Sequence, residues 1–405
     1  MDIAEQIELL KRGTSGIIPE NGLAEKLQKS AKTGKPLVVK LGLDPTAPDI
    51  HLGFAVVLRK LRRFQDLGHQ VVIIIGDYTA LIGDPSGRSA TRPMLSEEQI
   101  RANAETYVDQ LSAILDRSRT TVRFNGEWLG RLSFADVVRL TSKMTVAQVL
   151  EREDFAKRFA EHQPISLHEL LYPLAQAYDS VAIEADIEMG GQDQMFNILA
   201  GRDLQREVGQ DPQIALFMPL LVGLDGEKKM SKSLGNYIGI AEPPNDMFGK
   251  IMSIPDRLLG MYFELCTDVP LAEVKQLLHE AETGAVNPKD VKRRLGREIT
   301  ALYHGAEAAQ AADAEFERVH AKKEIPSEIP EIEVTLEGDT GLLTLLVLMG
   351  LAASTSEARR LVQQGGVKID GSKAADVRET RKPEAWDGIM IQVGARRFAR
   401  VRTKP

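Results

Sequence analysis

Val38-Val39-Lys40-Leu41-Gly42-Leu43-Asp44-Pro45-Thr46-Ala47-Pro48-Asp49-Ile50-His51-Leu52-Gly53-Phe54 is the stretch from which the architecture follows. The apolar run from Leu37 reads as a buried strand. From Leu52 to Leu67 the apolar residues recur at helical spacing and Gly68 closes the run, so Pro45 to His51 is a strand-to-helix crossover. Val71 to Gly76 then reads as a second strand. Strand, turn, helix, strand opens a doubly wound parallel sheet, whose ligands bind at the carboxyl ends of the strands. His51 falls at a helix N-terminus, where free N–H groups and the helix dipole favour anions, and Gly53 lets a ligand approach the backbone.

Size and composition narrow the classes. The 405 residues predict two or three domains, and 43% apolar with 27% charged residues is ordinary for a globular chain. No apolar run approaches the roughly 18 to 20 residues of a membrane span. Met1-Asp2-Ile3-Ala4-Glu5-Gln6 lacks the basic-then-apolar pattern of a secretory signal, so a cytoplasmic location is expected. Cys266, the one cysteine, excludes an internal disulfide and a thiolate metal cluster, and its apolar neighbours predict a buried thiol. The net charge of −7 is uneven: residues 341–405 hold 12 Lys+Arg and 6 Asp+Glu, a net of +6, which leaves −13 on residues 1–340. A basic tail on an acidic body fits contact with a polyanion, although a charge run is also what a solvated face looks like.

Downstream of the second strand, Gly83-Asp84-Pro85-Ser86-Gly87-Arg88 places a carboxylate and an arginine at the crevice, or is a plain turn with a capping aspartate. Residues 1–35 read as a helical lead-in; 96–117 read as a long amphipathic helix and 135–162 as further helix, and these two form an insert between two halves of the sheet. Ser166 to Ser180 is another helix. On it Tyr172, Gln176 and Asp179 share one face, either a ligand-binding face or a structural one. An apolar strand over Ser180 to Ile187 leads into Gly190-Gly191-Gln192-Asp193-Gln194, where Asp193 either meets ribose hydroxyls or caps a helix. There is no P-loop pattern.

Lys229-Met230-Ser231-Lys232-Ser233, bounded by Gly226 and Gly235, is a mobile cationic loop suited to a polyphosphate. From Asn245 to about His320 the chain reads as a helical bundle. Its segment Lys289 to Arg297 is either a solvated face or a path for RNA. A Pro-punctuated polar linker follows, and beyond Gly341 come two helices, a double glycine and a short strand.

Together, His51-Leu52-Gly53-Phe54 and, about 180 residues later, Lys229 to Ser233 resemble the His-Ile-Gly-His and Lys-Met-Ser-Lys-Ser motifs of class I aminoacyl-tRNA synthetases. Gly42-x-Asp44-Pro-Thr46, Gly83-Asp84-Pro-Ser-Gly87, Tyr172-x-x-x-Gln176-x-x-Asp179 and Gly190-Gly-x-Asp193-Gln194 narrow the resemblance to the bacterial tyrosyl-tRNA synthetase family, from about residue 30 to the end. It implies an α/β, Rossmann-like doubly wound catalytic domain with a helical insert (1–225). An α-helical domain carrying the lysine loop (226–325), a linker (326–340) and a small α+β RNA-binding domain like that of a ribosomal protein (341–405) complete the expectation.

The resemblance also implies roles. Asp179 would accept the substrate phenol, and Tyr172, Gln176 and Asp84 would hold its α-ammonium, with Lys40, Asp44, Thr79 and Gln194 completing the tyrosine site. Thr46, His51, Lys229 and Lys232 would act on the phosphates of ATP. Gly42, Asp44, Gly53, Phe54, Gly191, Asp193, Met230 and Ser231 would complete the nucleotide site. Arg359, Arg360, Lys368, Arg396, Arg397 and Arg400 would contact tRNA phosphates. ATP enters as substrate with Mg2+ and no dedicated protein metal site, and a homodimer is implied. Two departures stand out. Phe54 replaces the second histidine, so Arg88, Arg92 or magnesium would supply what it gives elsewhere. Lys40 replaces a tyrosine, and we expect it to pair with or near Asp179. A scaffold that kept the fold but lost catalysis, and a tryptophan enzyme, are the rival readings. Tyrosine-dependent ATP–pyrophosphate exchange separates them.

Overall fold

The computed structural model describes residues 1–44, 50–84, 98–99, 110–321, 329–374, 376–394 and 397–404. The chain divides into two compact units, Met1–Pro243 with Lys250–Tyr303, and Pro244–Gly249 with His304–Pro405.

The first unit is built on a six-stranded sheet of β1 (Gly16–Ile18), β2 (Val38–Leu43), β3 (Gln70–Ile75), β4 (Thr120–Phe124), β5 (Ile187–Gly191) and β6 (Ile214–Met218), in the order β1-β6-β5-β2-β3-β4. All neighbours are parallel except β1, which runs antiparallel to β6 with Ile17 opposite Leu216. Residues 71–75 of β3 and all of β6 are buried, as expected of strands covered on both faces. The order reverses between β2 and β5, so their carboxyl ends splay and leave a crevice.

Helix α1 (Ile3–Lys11) opens with a capping box on Asp2, and α2 (Gly22–Thr33) ends on Gly34 in the left-handed region. Between them β1 is too short for its alternation to be visible, and the lead-in of residues 1–35 is therefore helix, strand, helix. Helix α3 (Leu52–Asp66) starts where the spacing puts it, with His51 as N-cap. A short helix α4 (Thr79–Ile82) follows β3. The helix expected over 96–117 lies mostly outside the described residues.

The insert is not one helix. It breaks into α5 (Gly126–Leu129), α6 (Phe134–Thr141), α7 (Val146–Val149) and α8 (Glu153–Ala160), because Ser133 and Thr145 each form a capping box that starts a new helix. Helix α9 (Tyr172–Ala182) runs further than expected and takes residues 180–182 that had read as strand. Val181 packs against the cluster of Ala177, Ala200 and Leu204 between α9 and α10 (Met195–Glu207), so tertiary packing overrides its β-propensity, and the strand begins at Ile187. Cys266 is buried, and burial pushes its thiol up to about 12, which keeps it protonated.

In the second unit a five-stranded sheet, β10-β9-β12-β13-β7, packs with two helices, Leu342–Leu348 and Thr355–Gln363, around Trp386, Leu345, Leu346, Val367 and Val401. Its strands are β7 (Glu331–Thr335), β9 (Val367–Ile369), β10 (Ser372–Lys373), β12 (Met390–Val393) and β13 (Arg397–Lys404). β8 (Thr340–Gly341) and β11 (Thr380–Arg381) form a separate pair. The indole N–H of Trp386 donates to the Thr340 carbonyl at 2.9 Å. Part of the expected linker, 326–340, is therefore a strand. β7 alternates outward Glu331 and Glu333 with inward Ile332 and Val334, and the glutamates pair with Arg402 and Lys404 of β13 at 3.0 and 2.7 Å.

Candidate active site

The carboxyl ends of β2, β3 and β5 open into a cavity of ≈ 730 Å³. It is bordered by β2 (Leu41 to Asp44), the start of α3 (His51, Gly53, Phe54), α9 (Tyr172, Gln176, Asp179), the end of β5 (Gly190, Gly191) and the lysine loop (Lys229 to Ser231). Thr79, Asp84, Asp193 and Gln194 also face it. Residues spread over 190 positions are thus brought to one crevice at the switch in strand order.

At one end Asp179 is 3% exposed. The Trp128 indole N–H donates to its Oδ1 at 2.8 Å, and the Asn125 amide to its Oδ2 at 3.3 Å. Burial pushes this carboxyl up to about 7, although Lys40, Trp128 and Asn125 all favour the charged form. Neither Asn125 nor Trp128 belongs to a motif; Asn125 directly follows β4 and Trp128 lies in α5.

Along the cavity Tyr172 donates its hydroxyl to Asp44 Oδ2 at 2.8 Å, and Thr79 donates to Asp44 Oδ1 at 3.0 Å. Burial, with the surrounding carboxylates, raises the Tyr172 phenol well above its ordinary value, so it remains a donor. Gly76 is required here, since a Cβ on it would overlap Asp44 Oδ1 and Thr79 Oγ1. Asp84 accepts from Gln194 Nε2 at 3.0 Å and from Arg152 at 3.3 Å. Arg152 is a buried side chain that also donates to Asn197 Oδ1 at 2.9 Å. The helical insert thereby holds a cavity carboxylate, a role no sequence pattern announces.

At the other end the two motifs meet. The Gly53 N–H donates to Met230 Sδ at 3.3 Å, and Leu52 N–H to the Ile238 carbonyl at 2.9 Å. His51 Nδ1 accepts from Phe54 N–H at 3.3 Å, which leaves the ring proton on Nε2 as a donor. Burial, with the positive charge of Lys232, pushes the imidazole down to about 4, so it is neutral at pH 7. Lys229 pairs with Asp193 at 3.2 Å in a half-exposed contact of little strength, easily exchanged for a phosphate.

The loop is anchored at its base. Met230 is buried, and Asn236 accepts from Ser231 N–H at 2.8 Å while donating to Asp225 at 2.7 Å and to the Lys229 carbonyl at 3.1 Å. Gly226 turns at φ +82°, a conformation that side chains resist.

Lys40 requires a correction. It does not line the cavity and does not pair with Asp179. It is fully buried, with Nζ 3.0 Å from Glu188 Oε1, 2.8 Å from Ser180 Oγ and 3.0 Å from the Gln176 carbonyl. Only its field reaches Asp179. Glu188, also buried, is the partner that motif reading missed. Lys232 is not among the residues facing the cavity, and its charge acts there through His51. Thr46, Arg88 and Arg92 lie outside the described residues.

In the second unit Arg359 and Arg360 are exposed on one helix, Lys368 is half-buried, and Arg397 and Arg400 donate to the Leu351 and Gly388 carbonyls at 2.9 and 2.6 Å. Arg396 is outside the described residues.

A family model described as tRNA synthetases class I (W and Y) matches residues 32–321, and one described as S4 domain matches 340–385. The tyrosine–tRNA ligase of Moorella thermoacetica is 55% identical over 402 residues, covering 99% of this chain and 97% of its own. That of Haemophilus influenzae is 54% identical over 401 residues, 99% and 98% of the two chains. Among solved structures, tyrosyl-tRNA synthetase from Archaeoglobus fulgidus complexed with L-tyrosine superposes with a TM-score of 0.61 at 23% identity, over 77% of this chain and 100% of that one. This last likeness is one of fold. With both motifs joined over one cavity and relatives alike over nearly their whole length, the chain belongs to the class I tRNA synthetases, in the family of tyrosine–tRNA ligases, which activate tyrosine with ATP and charge tRNA with it.

Proposed function

We propose that the cavity between β2 and β5 is where this chain joins tyrosine to AMP, with Asp179 at the phenol end and the two motifs at the phosphate end. The observation that carries this is the contact of Gly53 N–H with Met230 Sδ, which sets Lys229 and His51 on the rim of the cavity that Asp179 closes. Tyr172, Gln176 and Asp84, with Asp44, Thr79 and Gln194, surround the α-ammonium. Gly42, Gly53, Phe54, Gly191 and Asp193 border the nucleoside, and Thr46, His51, Lys229 and Lys232 serve the phosphates with Met230 and Ser231.

The tyrosine carboxylate attacks the α-phosphorus as the bond to the bridging oxygen breaks, and pyrophosphate leaves with the electron pair. A terminal ribose hydroxyl of tRNA then takes the acyl group and AMP departs. No enzyme nucleophile is required, because alignment and positive charge at the leaving group supply the rate. Magnesium arrives on ATP as part of the substrate. The exposed arginines Arg359 and Arg360, with Lys368, Arg396 and Arg397, contact tRNA phosphates, and the setting is cytoplasmic.

Tyrosine-dependent ATP–pyrophosphate exchange tests the reading. Lys229→Ala and Lys232→Ala are expected to lower kcat on the order of a hundredfold, since each removes a transition-state charge, with the tyrosine KM little changed. Absence of exchange with tyrosine, or exchange driven by tryptophan, contradicts it. Phe134, Val138, Val146 and Phe159 of the insert are exposed apolar side chains, which supports a homodimer through this segment. Phe134→Asp is then expected to yield monomers in sedimentation velocity.

A further inference from the structure

Two fully buried, oppositely charged side chains lie directly behind the cavity and outside every motif. Lys40 sits on β2 and Glu188 on β5, 0% and 1% exposed at their side chains and 3.0 Å apart. Glu188 is saturated: besides Lys40 it accepts from Ser180 Oγ at 2.8 Å, from the Gln213 amide, and from Gln176 Nε2 at 3.1 Å. Lys40 in turn donates to the main-chain carbonyl of Gln176 and to Ser180. Gln176 is therefore gripped at its backbone by one member of the pair and at its amide nitrogen by the other, and it faces the cavity.

An amide group can rotate and exchange its donor for its acceptor. A carboxylate behind Gln176 accepts only, so it holds the nitrogen inward and leaves the carbonyl oxygen as the atom offered to a bound ammonium. Stability alone does not explain the pair, because a buried ion pair is often replaceable by apolar side chains without loss. We propose that Lys40 and Glu188 are positioning residues for tyrosine: Glu188 orients the Gln176 amide towards the α-ammonium, and Lys40, bonded to Glu188, Ser180 and the Gln176 carbonyl, fixes Glu188 in the place from which it does so. This rests on the assignment of the cavity as the tyrosine site.

The groups facing Asp179 come from four directions: Lys40 from β2, Glu188 from β5, Asn125 and Trp128 from the segment after β4, and Tyr172 on its own helix. Lys40 favours its charged form and Glu188 opposes it.

Two double variants avoid an unpaired buried charge. Lys40→Met/Glu188→Met removes the pair, and Lys40→Glu/Glu188→Lys reverses it. In the reversed pair the ammonium behind Gln176 attracts the carbonyl oxygen and turns the amide nitrogen to the cavity. Both proteins are to be checked by thermal unfolding and assayed by exchange with tyrosine and ATP varied separately. The expected result is a tyrosine KM raised at least about tenfold in each, the scale of one hydrogen bond to a charge, with the ATP KM within about twofold. A tyrosine KM within about twofold of the parent in either double variant overturns the proposal. So does failure of both to fold, or a parallel loss in both substrates and kcat, because the pair would then be structural. Asp179→Asn in the parent separates the two levels: if it leaves the tyrosine KM unchanged, the site assignment itself fails, whereas if it raises that KM and the double variants do not, only the role of the pair fails.

Discussion

Asp179 and His51 show how burial sets opposite protonation habits at the two ends of one cavity. The Asp179 carboxyl, with an ordinary value of 3.8, is pushed to about 7. Its contribution to stability is thus fully present below pH 3.8 and is lost as pH rises through about 7. A phenol donor favours the charged form, so tyrosine binding is expected to strengthen as pH rises through about 7, read as kcat/KM for tyrosine in the exchange assay. Trp128→Phe removes a donor that favours the carboxylate and should displace that limb upward in pH. An unmoved limb would show that Asp179 does not govern tyrosine binding. His51 runs the other way, pushed from 6.5 to about 4 by burial and by Lys232. Its contribution is present above pH 6.5 and lost as pH falls through about 4. Proton NMR should show no His51 titration between pH 5 and 8, and a midpoint near 6.5 would contradict its neutral state. Both residues were legible as candidates because each sits in a motif. Their charge states were not, because desolvation depends on neighbours distant in sequence.

At the level of elements, the lysine loop shows how a short segment is held in a usable shape. Asn236 binds the loop at the Ser231 N–H and the Lys229 carbonyl and ties it to Asp225 at its base, and Gly226 and Gly235 supply its left-handed turns at φ +82° and +66°. Asn236→Ala strips a buried network and is expected to cost about 1 to 3 kcal/mol of stability. It should also raise the ATP KM while leaving the tyrosine KM unchanged, which separate titrations in the exchange assay would detect. A raised tyrosine KM with an unchanged ATP KM would place Asn236 in the wrong site. Helix α3 and strands β2 and β3 were readable from spacing alone, since long periodic segments state their own faces. The breaks in the insert, the three-residue β1 and the start of β5 were not. Capping boxes compete with helix continuation there, and Val181 finds its partner on α10 instead of in a sheet.

On the scale of the molecule, catalysis and RNA contact are expected to separate. Arg359→Ala/Arg360→Ala should weaken tRNA charging without altering ATP–pyrophosphate exchange. The slope of log affinity for tRNA against log salt should fall by about one for each phosphate contact removed. An unchanged salt slope would show that these exposed cations touch no phosphate. The charge asymmetry of +6 against −13 pointed to the tail. Which of its cations also bond within the unit, as Arg397 and Arg400 do to carbonyls, appeared only in the fold.

Strand-helix periodicity was enough, by itself, to specify a doubly wound sheet and the place of its crevice, because that signal is local and repeats along the chain. The partners of Asp179, the grip of Arg152 on Asp84 and the pairing of Lys40 with Glu188 were settled by tertiary structure. Each depends on side chains from separate strands and turns meeting in a space without water, where a charge must find a counter-charge or a donor, and linear spacing carries no record of which one it meets.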